Sequence, residues 1–319
     1  MFCKNYTRKR GQAMLSSIGN TPIIQIAESF TYLAKIEGAN PFGSMKDRAA
    51  AFVIEQLLDQ KIINSETEIV ESSSGNFGIS LAAVCRIYGL KYICVTDPMI
   101  AQANREILNI YGADVVCANQ CDENGSYLKC RLEIIEDLLQ TRQNVYWVNQ
   151  YNNPLIIQAY ENTLAEELLQ STHNIDYVFI PVSTCGCISG ISRHLKKASK
   201  NTKIIAVDIR GSCIFGPSNY VRHIPGMGAS FCPDNLRYAI IDEVITVSEL
   251  ECVTECRKLI HHGILAGASS GGAVAAIRKM NERKQLHGTV VAIFPDRGER
   301  YADTVYSNQW CQEHIQGFT

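Results

Sequence analysis

Buried strands and amphipathic helices alternate along most of this 319-residue chain, and the alternation limits its possible folds more than any other feature. Apolar runs without polar alternation predict strands buried on both faces, at 92–96, 113–118, 176–182, 203–209 and 288–295. Apolar residues spaced three and four apart predict amphipathic helices, at 48–60, 76–89, 104–112, 125–140, 160–170 and 188–199. This order of elements builds parallel sheets wrapped by helices, so the predicted fold class is α/β.

The composition excludes several classes of protein. With 46% hydrophobic residues the chain can bury a large core, and its length suggests two domains or one large unit. A net charge of −2 gives no electrostatic argument for nucleic acid or an anionic membrane. The basic segment 4–10 is not followed by the apolar core of a signal peptide, and no apolar run could span a bilayer. We therefore expect a soluble cytoplasmic protein.

The cysteines indicate neither a disulfide framework nor a metal site. There are 13 of them, an odd number at irregular spacings, and no C-x-x-C pair occurs. Most lie in apolar segments, where a thiol behaves as a small buried hydrophobe. This usage predicts a reducing compartment.

Two polar segments, 38–42 and 149–154, are the predicted crossings between domains. They divide the chain into a larger domain of residues 1–40 and 151–319 and a smaller domain of residues 41–150.

The segment NPFGSMKDRAA, residues 40–50, places a lysine at the start of an alanine-rich helix. Ser44 can cap that helix, and Asp47 completes a capping box. A helix N-terminus repels cations, so the amine of Lys46 should be easier to obtain without its proton. Lys46 is therefore a candidate for an amine that reacts with an aldehyde, although a surface lysine behind an ordinary helix cap fits the same pattern.

Three strand-to-helix turns, within 68–80, 179–190 and 265–276, consist of small and polar residues. Ligands of open α/β sheets bind at such turns, beyond the carboxyl ends of the strands. Residues 183–187 suit a phosphate best, because small residues and a helix N-terminus admit an anion. No turn fits G-x-x-x-x-G-K-S/T or a complete G-x-G-x-x-G. For any single turn, close packing of a helix on a strand is the alternative explanation.

Pyridoxal 5′-phosphate fits these turns. It needs an amine, a phosphate cradle, a donor near its phenolic oxygen and a partner for its ring nitrogen. Lys46, the loop 183–187, Asn76 and Ser269 could occupy these places in turn. A neutral serine at the ring nitrogen leaves the ring unprotonated, which favours β-elimination and replacement over transamination.

Six segments resemble, in order and spacing, the motifs of the cysteine synthase family of pyridoxal-phosphate enzymes. They are NPFGSMKDRAA, ESSSGNFGISLA, PVSTCGCISG, PGMGAS, GILAGASSGGAVAA and PDRGERY. The resemblance runs from Gly19 to Tyr301. It implies a fold of type II for such enzymes, with two doubly wound parallel-sheet domains like the tryptophan synthase β subunit. The larger domain would bind the cofactor, the smaller one would be mobile, and the protein would be a homodimer.

The resemblance also implies roles for individual residues. It gives Lys46 the covalent attachment of the cofactor and the proton transfers. The implied cofactor-binding residues are Lys46, Asn76, Ser183, Thr184, Cys185, Gly186, Cys187 and Ser269. The implied contacts of the substrate α-carboxylate are Ser73, Ser74, Gly75, Asn76 and Gln150. No metal is implied.

Departures from the family pattern concern the second substrate. Phe77 replaces the usual Thr, Tyr151 replaces the usual Phe, and STCGC replaces GTGGT. These departures point to a branch of the family, the N-(2-amino-2-carboxyethyl)-L-glutamate synthases, which supply 2,3-diaminopropionate for siderophores. The segments that resemble this branch are NPFGSMKDR, ESSSGN, YWVNQY, PVST followed by GISR, AVDIRGSCIFG, and PDRGERYAD followed by VYS. This implies O-phospho-L-serine and L-glutamate as substrates. Arg131 would contact a glutamate carboxylate and Tyr151 would hydrogen-bond the incoming substrate, whereas a solvated helix arginine and a core tyrosine are the alternatives.

Three other functions fit parts of the pattern. The first is an ordinary cysteine synthase that joins O-acetylserine or O-phosphoserine to sulfide. The second is a pyridoxal-binding scaffold without turnover. The third is a nucleotide-binding α/β module, which would not carry an aldehyde cofactor on a lysine.

Overall fold

A computed structural model of the protein describes residues 13–28, 30–121, 127–172 and 174–319. The basic segment at 4–10 lies outside the described residues, as do the first two residues of the helix predicted at 125–140.

Strands and helices alternate through the described chain as the sequence predicts. The strands are β1 (Ile23–Ala27), β2 (Thr31–Ile36), β3 (Glu68–Ser72), β4 (Lys91–Thr96), β5 (Asp114–Cys117), β6 (Val145–Trp147), β7 (Ile175–Pro181), β8 (Lys203–Ile209), β9 (Glu243–Val247) and β10 (Thr289–Phe294). The α-helices are α1 (Lys46–Asp59), α2 (Asn76–Tyr88), α3 (Gln102–Tyr111), α4 (Leu128–Thr141), α5 (Pro154–Asn162), α6 (Leu164–Ser171), α7 (Gly186–Ala198), α8 (Glu249–Leu259), α9 (Ala268–Lys284) and α10 (Asn308–His314).

The chain divides into two compact units. The first unit contains Lys46–Ile156, of which residues 122–126 are not described, together with the described residues 13–18. The second unit contains Gly19–Met45 and Ile157–Thr319. The crossings predicted from the sequence lie a few residues earlier, and residues 13–18, predicted in the larger domain, belong to the first unit. The mobility predicted for the smaller domain remains a prediction.

The first unit is built on a four-stranded parallel sheet with the order β5-β4-β3-β6. The apolar core includes Val70, Ile93 and Val95 from the central strands, and Ile135 and Leu138 from α4 pack on them. Because the strands are parallel, their carboxyl ends all lie along the same side of the sheet, its carboxyl edge. The turns that follow β3, β4 and β6 therefore lie at the same edge of the sheet.

The second unit is built on a six-stranded sheet with the order β1-β2-β10-β7-β8-β9. From β2 to β9 the neighbours are parallel, as predicted. Strand β1 pairs antiparallel with β2 and forms the edge of the sheet. Neither β1 nor β2 is among the strands predicted from the sequence. The apolar runs of β7, β8 and β10 provide the centre of the sheet. The predicted α/β class is thus confirmed.

Several predicted element boundaries were wrong. The helix predicted at 160–170 is two helices, α5 and α6, which are separated at Thr163. The Thr163 hydroxyl donates to the Ala159 carbonyl at 2.6 Å, where it competes with the main-chain pattern. Helix α9 begins at Ala268, inside the turn predicted within 265–276, because its small residues pack against α8 and continue the helix.

All the cysteines in the described ranges are free thiols, and seven of them are buried. Within those same ranges, no group of three or more His, Cys, Asp or Glu side chains could hold a metal ion. No described helix combines the length and apolarity needed to cross a bilayer.

Candidate active site

In the first unit, the turn between β3 and α2 contains the residues predicted to receive a substrate carboxylate. The Ser73 hydroxyl accepts the Gly78 N–H at 2.9 Å and the Gly75 N–H at 3.3 Å, and the Ser73 N–H donates to Val95 at 3.0 Å. A Cβ on Gly75 would meet no atom within 4 Å. The turn is therefore fixed by its own hydrogen bonds and leaves space beside Gly75, at the N-terminus of α2.

Gln150 and Tyr151 follow β6 at the same edge of the sheet. The Gln150 side-chain amide donates to the Ser72 carbonyl at 2.8 Å, so the structure brings Gln150 to the turn after β3. The Tyr151 side chain faces Ser72 and Arg131. Burial raises the pKa of Tyr151, which keeps its phenol protonated as a hydrogen-bond donor.

Arg131 lies in the first turn of α4 and is not a solvated surface arginine. Its side chain is 13% exposed, and Nη1 lies 3.3 Å from the Asp97 carboxylate. Its Nε is buried without a hydrogen-bond acceptor among the described residues. Asp97 follows β4, so this cation lies at the edge of the sheet where Gln150 and Tyr151 lie.

Lys46 is the first residue of α1 and is half-buried. Asp47, beside it, accepts the Ser80 hydroxyl at 2.6 Å, and Ser80 Oγ lies 2.9 Å from the Asn76 carbonyl. These contacts fix the N-termini of α1 and α2 side by side, with Lys46 on one and Asn76 on the other. The helix starts one residue later than a cap at Ser44 predicts.

In the second unit, the loop predicted to hold a phosphate follows β7 and leads into α7. The Ser183 hydroxyl donates to the Gly228 carbonyl at 3.0 Å, and the Asn235 amide donates to the Thr184 carbonyl at 3.0 Å. Cys185 has φ of 60°, so α7 begins at Gly186 rather than near Ile188. A left-handed residue directly before a helix orients successive N–H groups toward one point, which is an anion-binding geometry.

Ser269 lies in the first turn of α9 and is 5% exposed. Its neighbour Ser270 buries a hydroxyl that has no hydrogen-bond partner in the described ranges. Gly267, before the helix, lies so close to Asp296 that a Cβ would be 2.0 Å from the carboxylate oxygen. A Cβ built on Gly272 would lie 3.0 Å from the Met227 sulfur, and the Gly228 carbonyl accepts the Ser183 hydroxyl. The segment 227–228 therefore adjoins both α9 and the loop 183–187.

Two arginines hold the turn that precedes Lys46 in the sequence. Arg297 donates through Nε to the Gly38 carbonyl at 2.5 Å, and Arg300 donates to the Phe42 carbonyl at 2.5 Å. The Met45 N–H donates to Pro295 at 2.8 Å. The segment that leads into α1 is therefore anchored on the residues after β10.

Each unit, taken by itself, carries donors that suit one part of a phosphorylated aldehyde: those of the second unit suit a phosphate, and those of the first unit suit an aldehyde. The first turn of α7 could supply N–H groups for a phosphate, and Thr184 in the loop before it could add a hydroxyl. Ser269 supplies a neutral hydroxyl at a second helix N-terminus, and the buried Ser270 hydroxyl keeps hydrogen-bonding capacity beside it. Lys46 supplies a primary amine, and Asn76 supplies an amide donor on the neighbouring helix.

A two-unit α/β fold with such turns defines an enzyme that binds a phosphorylated cofactor at helix N-termini. The chain belongs to the family of pyridoxal-phosphate dependent enzymes, whose family model matches residues 14–296. Pyridoxal phosphate is the cofactor of that family, and the chain is an enzyme of the cysteine synthase type, which catalyses β-elimination and replacement.

Solved structures similar to this chain include three enzymes of related chemistry. The O-acetylserine dependent cystathionine β-synthase of Helicobacter pylori is 30% identical, with a TM-score of 0.85 over 92% of this chain and 98% of that one. A hydrogen sulfide-producing enzyme of Fusobacterium nucleatum is 30% identical, with a TM-score of 0.83 over 90% and 97%. An O-ureido-L-serine synthase is 27% identical, with a TM-score of 0.83 over 95% and 96%.

Glu71 and Asp97, which were not predicted from the sequence, contact the predicted substrate residues. Glu71 is fully buried in β3, and its Oε2 accepts the Gln150 N–H at 3.1 Å. The available signal was a glutamate that directly follows the apolar pair Ile69–Val70 in a strand, because an ionisable residue is rarely buried without a specific partner.

Proposed function

We propose that this enzyme joins O-phospho-L-serine to L-glutamate, forming N-(2-amino-2-carboxyethyl)-L-glutamate and releasing phosphate. The product would supply 2,3-diaminopropionate for siderophore biosynthesis. The proposal goes beyond the family assignment, which supports β-replacement without naming the substrates. A cytoplasmic homodimer is the state that we expect.

The observation that carries the proposal is the Arg131 guanidinium at the carboxyl edge of the sheet in the first unit. Sulfide needs no cation for its recognition, whereas glutamate brings two carboxylates. Arg131 is 13% exposed and keeps a buried Nε donor, so it could bind a carboxylate while Nη1 faces Asp97. Phe77 and Tyr151, where the chain departs from the family pattern, also bear on the second substrate.

Pyridoxal phosphate, when bound, withdraws electrons from the α-carbon of the amino-acid substrate and so makes its α-proton removable. In the proposed reaction the Ser73–Asn76 turn and Gln150 bind the substrate carboxylate. Lys46 removes the α-proton and later returns it to the same carbon. The first turn of α7 holds the cofactor phosphate. Tyr151, which stays protonated, donates a hydrogen bond to the incoming amine substrate.

A cysteine synthase that uses sulfide is the second candidate. It is favoured by the likeness to the two sulfur-metabolising enzymes. The name of the similar O-ureido-L-serine synthase describes a product that contains no sulfur. This supports a wider choice of nucleophile on this fold. A scaffold without turnover is the weakest candidate, because the chain belongs to an enzyme family.

The substrates can be tested by incubating the purified enzyme with O-phospho-L-serine or O-acetyl-L-serine, each with L-glutamate or sulfide. We expect phosphate release and a product of the predicted mass only with O-phospho-L-serine and L-glutamate. The Lys46→Ala variant sets the background rate. Turnover with sulfide but not with glutamate would show that the enzyme is a cysteine synthase.

Arg131→Ala should raise the KM for glutamate by on the order of 10- to 100-fold, since it removes a charged hydrogen bond. The KM for O-phospho-L-serine should change much less. Arg142→Ala is the matched control, because Arg142 follows the same helix but pairs with Glu68 at the surface. If both variants gave the same glutamate KM as the wild type, Arg131 would not be the glutamate contact.

A further inference from the structure

Glu71 is a fully buried carboxylate directly beneath the turn predicted to bind the substrate. It is the fourth residue of β3, and its side chain is 0% exposed. Oε1 accepts the Ser72 N–H at 2.8 Å, and Oε2 accepts the Gln150 N–H at 3.1 Å. One carboxylate thus contacts the main chain of two neighbouring segments.

Gln150 also donates a hydrogen bond back to β3. Its side-chain amide donates to the Ser72 carbonyl at 2.8 Å. Together with the Glu71 contacts, this bond closes a ring of three hydrogen bonds that joins the end of β3 to Gln150, three residues after the end of β6. The ring lies one residue before Ser73, at which the carboxylate-binding turn begins.

We propose that Glu71, in its ionised form, is a positioning residue that holds Gln150 and the Ser72–Ser73 main chain in the conformation that receives the substrate carboxylate. This inference rests on the proposed roles of Gln150 and the Ser73–Asn76 turn. Glu71 does not contact the substrate in this account; it acts through the residues that do.

The ionised form of Glu71 is needed because both of its carboxylate oxygens face N–H donors. Each oxygen accepts a main-chain N–H, and a carboxylate has acceptor lone pairs on both oxygens. A protonated carboxyl group turns one oxygen into an O–H donor, which opposes an N–H. Protonation should therefore weaken the contact to Ser72 or to Gln150.

Burial raises the pKa of Glu71 to about 8, while the two N–H groups, the indole of Trp147 and the Arg131 guanidinium oppose the rise. The other ionisable groups that face it from the packed elements are Tyr92, Cys94 and Tyr151, with Asp97 paired to Arg131. The first three are kept neutral by raised pKa values, so Arg131 is the cation that favours the ionised form.

Hydrogen–deuterium exchange of the substrate-free holoenzyme tests the ring directly. The readout is the Gln150 amide in peptides spanning 147–153, corrected for intrinsic exchange at pH 6 and pH 9. We expect its protection in the wild type to exceed that in Glu71→Gln by on the order of tenfold at pH 9, and by much less at pH 6. Equal protection in both proteins at both pH values would overturn the proposal.

Ligand affinity supplies the second readout. The cofactor absorbance is titrated with O-phospho-L-serine, O-acetyl-L-serine and L-serine from pH 6 to pH 9. Relative to Glu71→Gln, the wild type should gain affinity on the order of tenfold as the pH rises, for each amino acid that binds. An unchanged affinity ratio across this range would overturn the proposal.

Glu68→Gln is the matched control, because Glu68 lies on the same strand but pairs with Arg142 and Lys91. The amide protection and amino-acid affinity of Glu68→Gln should equal those of the wild type. If Glu68→Gln lost as much protection and affinity as Glu71→Gln, the effect would be a general weakening of the strand, and the proposal would be overturned. Binding of serine or acetylserine without phosphoserine would count against the proposed substrate while still deciding the role of Glu71.

Discussion

At the scale of single residues, the two glutamates of β3 show how position decides chemistry. Glu68, at the start of the strand, accepts hydrogen bonds from Arg142 and Lys91, and the Arg142 contact lowers its pKa. Glu71, three residues later, lies inside the unit, where burial raises its pKa. The same side chain is thus a surface ion-pair partner at one end of the strand and a buried proton-binding group at the other.

The raised pKa of Glu71 predicts how stability depends on pH. The unfolded carboxyl loses its proton near pH 4.5, whereas the folded one keeps it until about pH 8. Between these values the folded state binds the extra proton, so rising pH destabilises the fold by up to about 1.4 kcal/mol per pH unit. Thermal melting from pH 5 to pH 8 should show the wild type losing stability relative to Glu71→Gln.

Glu68→Gln serves as the control for this series. Because the pKa of Glu68 is lowered, that group is already ionised throughout the window. Its difference from the wild type should stay flat between pH 5 and pH 8. A flat difference for Glu71→Gln as well would contradict the assignment of a raised pKa.

At the scale of elements, helix–helix contacts in the second unit depend on glycines that admit a neighbouring main chain. Gly190 of α7 faces α5, where a Cβ would lie 2.4 Å from the Ile157 carbonyl oxygen and 2.8 Å from the Glu161 nitrogen. Neither of these main-chain atoms can rotate away. The position of α7, whose first turn is the proposed phosphate site, therefore depends on the missing side chain.

Gly190→Ala should destabilise the protein by roughly 1–3 kcal/mol, because the helices must separate. It should also weaken retention of pyridoxal phosphate, since α7 moves. Thermal melting and the cofactor content after dialysis measure the two effects. Lys197→Ala, at an exposed position of the same helix, should change melting little, as surface ion pairs contribute about 0–1 kcal/mol; equal melting temperatures for both variants would argue against the clash.

At the scale of the whole molecule, the reactivity expected of each thiol follows from its exposure in the fold and not from its position in the sequence. Cys121 and Cys232 are exposed, and three others are half-buried. The remaining seven described thiols are buried, and burial raises the pKa of Cys85, Cys94, Cys252 and Cys256, which suppresses the reactive thiolate. Disulfide and metal chemistry contribute nothing to the described fold.

Thiol titration of the native protein should therefore be biphasic. In a Cys3→Ser background, which removes the cysteine outside the described residues, two thiols should react with a disulfide reagent quickly. Adding Cys121→Ser and Cys232→Ser should abolish that fast phase. The buried seven should react only after unfolding in urea, and fast reaction of more than five thiols in the native protein would contradict the burial pattern.

The sequence determined the fold class and the turns that carry the proposed chemistry. Long apolar runs such as those of β7 and β10 can be satisfied only by burial on both faces, which requires parallel pairing under helices. The turns at 73–76 and 183–187 are local, so their residue types and order were visible in the chain. Strands β1 and β2 were not visible, because Gln25 and Lys35 interrupt their short apolar runs.

Tertiary structure decided what long-range contacts alone can specify. Nothing local indicates that Glu71 accepts the N–H of Gln150, 79 residues away, or that Asp97 lies beside Arg131. These contacts exist because parallel strands bring their carboxyl ends to one edge, whatever the length of chain between them. Burial at that edge then sets the pKa of Glu71, and burial is a property of the packed unit rather than of any segment.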